Sequence, residues 1–202
     1  MRTPAPLLTA LLGLMLTTQV SAAPPAKASF NPALLKPAAL NAKAPETYQA
    51  KFVTSHGEFT VKVTRAWAPK GADRFYNLVK NGFYDDVRFF RVIEGFMAQG
   101  GDPTGTGTGG SKLPDLKAEF TTKRHFLRGT VGAARTGNPD SANSQFYIMF
   151  APAPHLDGQY TIWGQVVSGM EFVDKIKRGS GGGGTVTNPD KIVTVRVAAD
   201  EK

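Results

Sequence analysis

Short runs of alternating apolar residues, each bounded by glycine, proline or other turn formers, set the tightest limit on what this chain can become. Two of them, at 48–53 and 58–63, flank Thr54-Ser55-His56-Gly57, where Gly57 supplies a positive φ, and predict an antiparallel hairpin. Further runs lie at 89–93, around 125–135, at 144–150, at 160–167 and at 191–198. In 144–150 the alternation puts Gln145, Tyr147 and Met149 on one face and Phe146, Ile148 and Phe150 on the other, so both faces are apolar around one amide. A buried amide requires partners, which makes Gln145 either a core bracket or a substrate contact.

Two stretches break the period of two. After Pro69, Ala72, Phe75, Tyr76 and Val79 recur at helical spacing and Asn81-Gly82 closes the stretch. From Ser168 a capping-box pattern to Glu171, a Glu171–Lys175 pair and the stripe Phe172, Val173 and Ile176 predict a second helix, ending before a hinge of five glycines between 179 and 184. Two helices with seven or eight short strands describe a mainly β fold, a closed antiparallel barrel with helices over its ends.

The chain has 202 residues, 41% hydrophobic and 20% charged, which suits one soluble domain with an appendage. Its formal charge is +8, but the densest basic groups, Lys123-Arg124-His125 and Lys175 to Arg178, read as solvated faces, and no nucleic-acid partner is expected. Cysteine is absent, which excludes disulfides and thiolate chemistry. The histidines at 56, 125 and 155 lie in separate segments without ligand spacing, so no metal and no cofactor are expected. A Gly-x-Ser-x-Gly elbow is missing as well.

The first 23 residues read as a secretory signal: Arg2, an apolar run from Leu7 to Val20, then small residues for cleavage after Ala22 or Ala23. An uncleaved anchor is the alternative, although the run is short for a membrane span. Residues 24–47, rich in proline and alanine, read as a semi-extended spacer ahead of a domain at 48–202. The protein is therefore expected to be exported, to the periplasm or the exterior, without stable membrane association after cleavage.

The chemistry centres on Phe89 to Asp102. On an extended strand Arg91 shares its face with Phe89 and Ile93, while Phe90 and Val92 fill the other. An arginine among apolar neighbours either carries its head to the rim or is held by polar groups that aim it, and Gln99 is the nearest candidate to hold it. The glycine-rich loop at 100–110 carries the letters of a dinucleotide fingerprint, but Pro114 stands where the following helix should begin, so it reads as a surface loop permitting tight backbone approach. What remains is a groove of Arg91, Gln99, Gln145 and apolar side chains, which fits binding a peptide better than cleaving it.

The segments Phe83-Tyr84-Asp85, Phe89 to Gly110, Asn143 to Ile148, Leu156-Asp157-Gly158 and Trp163 to Val167, in that order, resemble the signature of the cyclophilins, the peptidyl-prolyl cis-trans isomerases. Ala134-Arg135-Thr136 is similar to their bacterial branch. The resemblance spans about 48–198 and implies an eight-stranded barrel with a helix at each end and an outer groove. It implies Arg91 as catalytic arginine and Gln99 as the residue orienting it. Phe96, Met97, Tyr147, Leu156 and Tyr160 match the proline pocket, and Arg135, Thr136, Gln145 and His155 match positions along the peptide groove. The implied partners are proline-containing peptides and unfolded exported proteins, met by a monomer.

Three departures accompany the match. Phe90 stands where many members have histidine, Tyr147 adds a hydroxyl to a pocket position usually phenylalanine, and His155 replaces the tryptophan of members most sensitive to cyclosporin. Isomerase activity with weak cyclosporin binding is expected. The rival readings are a non-catalytic proline-peptide-binding chaperone using the same groove, and a nucleotide-binding enzyme resting on the glycine loop alone.

Overall fold

The computed structural model describes residues 40–198, so the signal segment expected at 1–23 and the spacer up to residue 39 lie outside the described residues. The chain order is β1 (Thr47–Thr54), β2 (Gly57–Thr64), α1 (Pro69–Lys80), β3 (Arg91–Ile93), β4 (Met97–Gly100), β5 (Thr130–Ala133), β6 (Phe146–Met149), β7 (Ile162–Ser168), α2 (Met170–Val173) and β8 (Ile192–Val197). The strands form one antiparallel sheet in the order β3-β4-β6-β5-β7-β2-β1-β8. The hairpin expected from the first two runs is β1–β2, with Thr54 facing Gly57 across the turn.

All eight strands send alternate residues into a single core, among them Phe52, Val61, Val92, Ala98, Val131, Phe146, Trp163 and Val195. A flat sheet could not bring its outermost strands to one cluster, so the sheet curls around it. β3 and β8 are the ends of the ladder. Between them Arg88 bridges to Lys191, Phe89 N donates to Asp190 O at 2.9 Å and Ile192 N donates to Val87 O at 2.8 Å. The eight antiparallel strands expected are present and curled, but no ladder joins β3 to β8 among the described residues, so the expected closure into a barrel is not part of the sheet pairing.

α1 covers one end of this core. Its apolar stripe buries Ala72, Phe75, Leu78 and Val79, and the Phe75 ring stacks on Trp163 with centroids 4.4 Å apart. α2 lies at the opposite end of the β1–β2 hairpin, where the Phe172 ring sits against Gly57 in the turn. Space allows no Cβ at that position. The second helix is far shorter than its sequence pattern suggests, four residues, and the capping box is not made. Gly169, at φ 76°, stands at the N-terminus instead, because any side chain there would collide with the Glu58 carbonyl. Turns continue the segment, and Val173 and Ile176 still reach the core.

Two local expectations shift. Residues 40–46, read as the end of a spacer, lie along α1: Asn77 Oδ1 accepts from Ala42 N at 3.1 Å, Asn77 Nδ2 donates to Ala42 O at 2.8 Å, and Asp73 Oδ1 accepts from Ala44 N at 2.9 Å. Phe89 does not share a face with Arg91. Both Phe89 and Val92 point into the core, because regular pleating begins only at Arg91.

Candidate active site

The outer face of the sheet carries a second apolar cluster built on Met97, Phe126, Tyr147, Met149 and Ile162. This explains why β6 is apolar on both faces. Residues 151–160 cross that outer face, with a 3-10 turn at Pro154–Leu156, and are tied down by Ala153 N donating to Phe126 O at 2.8 Å. Asp157 pins the same crossing, accepting from Phe126 N at 2.8 Å and lying 2.7 Å from His125 Nδ1. Burial alone would raise the Asp157 carboxyl, but His125 and the Phe126 N–H hold it below the usual range.

Where the crossing loop stops short of β3 and β4 a cleft of about 180 Å³ remains. Strand register delivers its contents in one row: Arg91 pairs with Gln99, Gln99 with Tyr147, and Tyr147 with Gly132. Residues directly opposite across a ladder share a face, which keeps all of these on the outer face. Gly132 is there for close approach, since a Cβ at that position would lie 2.8 Å from Tyr147 Cζ and 2.7 Å from Phe126 Cε1. The tyrosine ring therefore lies over β5 as the floor, edge-on to Tyr160 at 5.9 Å.

Arg91 is held from two sides. Its Nε donates to Gly183 O at 2.9 Å and its Nη1 to Gln99 Oε1 at 3.1 Å. Gln99 Nε2 donates to Gln145 Oε1 at 2.9 Å, and Gln145 Nε2 donates to Gly109 O at 2.8 Å and Gly107 O at 3.0 Å. Gln145 is thus a bracket behind Gln99, outside the cleft lining. Arg91 borders the cleft, and its Nη2 has no acceptor among the described residues.

The glycine loop is itself organised by Asp102, which is fully buried. Its carboxylate accepts from the backbone N–H groups of Thr104, Thr106, Gly107 and Gly109, the shortest at 2.7 Å from Gly107. Burial would raise this carboxyl, but the Gly109 N–H, the Thr104 hydroxyl and the other loop amides hold it below its ordinary value. Amides committed to Asp102 are not free to cradle a phosphate, which removes the basis of the nucleotide reading.

Of the residues singled out in the sequence, Arg91, Gln99, Phe96, Met97, Tyr147, Leu156, Tyr160 and Arg135 all border the cleft. His155 stands exposed at the rim, its ring 5.6 Å from that of Phe96. Thr136 is exposed and not among the residues lining the cleft, its Oγ1 2.8 Å from Ser141 Oγ. The hydroxyl of Tyr147 is buried without a hydrogen-bond partner among the described residues, against the expectation that it must find one. Burial, with Tyr160 beside it, pushes that hydroxyl well above the usual tyrosine range. The Gly183 carbonyl, Asp102 and Gly132 were missed by sequence reasoning. Only the density of glycine at 100–110 and 179–184 signalled that backbone groups matter there.

Residues 49–197 match the family model described as cyclophilin type peptidyl-prolyl cis-trans isomerase. A probable peptidyl-prolyl cis-trans isomerase of Brucella abortus is 51% identical over 158 residues, covering 72% of this chain and 80% of the relative. Among solved structures, a cyclophilin type peptidyl-prolyl cis-trans isomerase of Cryptosporidium parvum matches with a TM-score of 0.69 at 27% identity, covering 75% of this chain and 97% of the other. The same parasite enzyme, solved in the presence of the dipeptide Ala-Pro, matches with the same TM-score over 74% of this chain and 98% of the other.

Proposed function

The chain belongs to the cyclophilin-type peptidyl-prolyl cis-trans isomerases, and we propose that Arg91 is the group through which it catalyses rotation about X-Pro bonds. The observation that carries this reading is the two-sided clamp on Arg91 through Nε and Nη1, which fixes a guanidinium at the border of a cleft that also presents Phe96, Met97, Tyr147, Leu156 and Tyr160. Rotation about an X-Pro bond faces a barrier of about 18 to 20 kcal/mol, because amide resonance must be broken. No covalent bond has to form. In the twisted state the proline nitrogen regains its lone pair and becomes an acceptor, so a fixed guanidinium donor stabilises the transition state more than either ground state. Phe96, Met97, Tyr147, Leu156 and Tyr160 would hold the proline ring, and Gln99, backed by Gln145, would keep the donor from following solvent. The Ala-Pro dipeptide used with the parasite enzyme supports a proline ligand of this kind.

We further propose that the protein acts outside the cytoplasm on unfolded exported proteins; the support is the signal-like pattern at 1–23. Cyclosporin would bind weakly, because the imidazole of His155 covers less of the rim than a tryptophan would. The barrel would be closed by the Arg88–Lys191 contact, and slow exchange of the Phe89 and Ile192 amides would support that. Exchange spectroscopy on an Ala-Pro tetrapeptide tests the central reading: cis-trans interconversion should become far faster than the uncatalysed process, which takes tens to hundreds of seconds. Binding of the peptide with no rate increase would favour the non-catalytic chaperone.

A further inference from the structure

We infer that this groove prefers substrates carrying a carboxylate on a residue next to the proline, and that Arg135 is the specificity residue that reads it; the inference rests on the isomerase reading above. The cleft is bordered by two guanidinium groups, Arg91 and Arg135, and by no aspartate or glutamate. Elsewhere in the domain, Arg65, Arg128, Arg178 and Arg196 each face a carboxylate within 2.8 Å. Among the described residues Arg91 and Arg135 donate only to neutral acceptors, as Arg74 does away from the cleft.

Arg135 is fixed in place. Its Nε and Nη2 donate to Gln159 O at 3.2 and 3.0 Å and its Nη1 donates to Thr136 O at 2.8 Å. Its guanidinium carbon stands 4.4 Å from the centre of the Tyr160 ring. Three of the five N–H groups of a guanidinium are thereby used and the plane is set, while the charge has no counter-ion among the described residues. A cation held in this way costs little further ordering when a carboxylate arrives. It also turns away a lysine or arginine beside the proline, since that charge would approach two others. The +8 charge of the whole chain acts in the same direction by drawing acidic segments toward the domain.

The test compares Ala-Glu-Pro-Phe, Ala-Ala-Pro-Phe, Ala-Lys-Pro-Phe and Ala-Ala-Pro-Glu by exchange spectroscopy, which needs no coupling protease with preferences of its own. At low ionic strength at least one acidic peptide should exceed the alanine peptide in kcat/KM by about fivefold, the upper range for an exposed ion pair, and the lysine peptide should fall below it. Added salt should compress these ratios toward one. In Arg135→Gln the glutamate-to-lysine ratio should collapse, whereas Arg135→Lys, which keeps the charge, should retain part of it. Equal rates for all four peptides in the unaltered protein, or a preference that survives Arg135→Gln, would overturn the inference. Turnover of Ala-Ala-Pro-Phe separates the two readings: its presence without a charge preference removes only this inference, and its absence removes the isomerase reading with it.

Discussion

Gln99 donates from Nε2 to Gln145 Oε1 at 2.9 Å, and through that contact a surface loop is coupled to the arginine at the cleft. Gln145 holds the carbonyls of Gly107 and Gly109, Gln99 holds Arg91, and neither amide has an apolar substitute of equal use. Gln145→Leu leaves Gln99 Nε2 and two loop carbonyls unpartnered, which should cost about 1 to 3 kcal/mol of stability. Isomerisation should fall with it, and chemical denaturation alongside peptide exchange measures both.

Asp102 supplies a pH prediction. Its folded pKa is depressed, so its contribution to stability is fully present above the unfolded value of about 3.9 and is lost as pH falls through the lower folded value. Unfolding free energy should therefore decline below about pH 4. Asp73 and Asp190, whose carboxyls are also held low, add to the same acid limb. Asp102→Asn should weaken the protein at neutral pH and make that limb shallower in a stability-versus-pH series.

The orphan hydroxyl of Tyr147 is a cost with no visible return. Tyr147→Phe should raise the unfolding free energy by about 1 kcal/mol, the lower end for a buried unsatisfied polar group. Gly132→Ala should do the opposite, by about 1 to 3 kcal/mol, because its methyl would meet both the Phe126 and Tyr147 rings. Thermal melts of the two variants check both signs.

Asn77 tests where the domain begins. Its buried amide makes two bonds to residue 42, so Asn77→Leu should loosen residues 40–43 from α1, while the Ala44 N bond to Asp73 Oδ1 remains. Limited proteolysis should then cut at 40–43 well before the core, with a stability loss of about 1 to 2 kcal/mol.

The alternation of apolar residues was enough to find the β1–β2 hairpin, β6 with its two apolar faces, and α1, because each rests on local periodicity and nearby turn residues. α2 was misjudged in length because Gly169 approaches the Glu58 backbone from a distant strand, and no local pattern reports such a contact. Phe89 went to the other face for a similar reason: its N–H answers to Asp190, near the far end of the chain. At the cleft, side chains were legible through their types and order, whereas the Gly183 carbonyl and the amides around Asp102 are backbone groups that any sequence could supply.

The account stands on Arg91, and Arg91→Ala assayed by exchange spectroscopy on an Ala-Pro peptide tests it most directly. Loss of one preorganised donor aimed at the developing lone pair should lower kcat by about 100- to 1,000-fold while the melting transition stays intact. Undiminished isomerisation by a folded Arg91→Ala protein would contradict it.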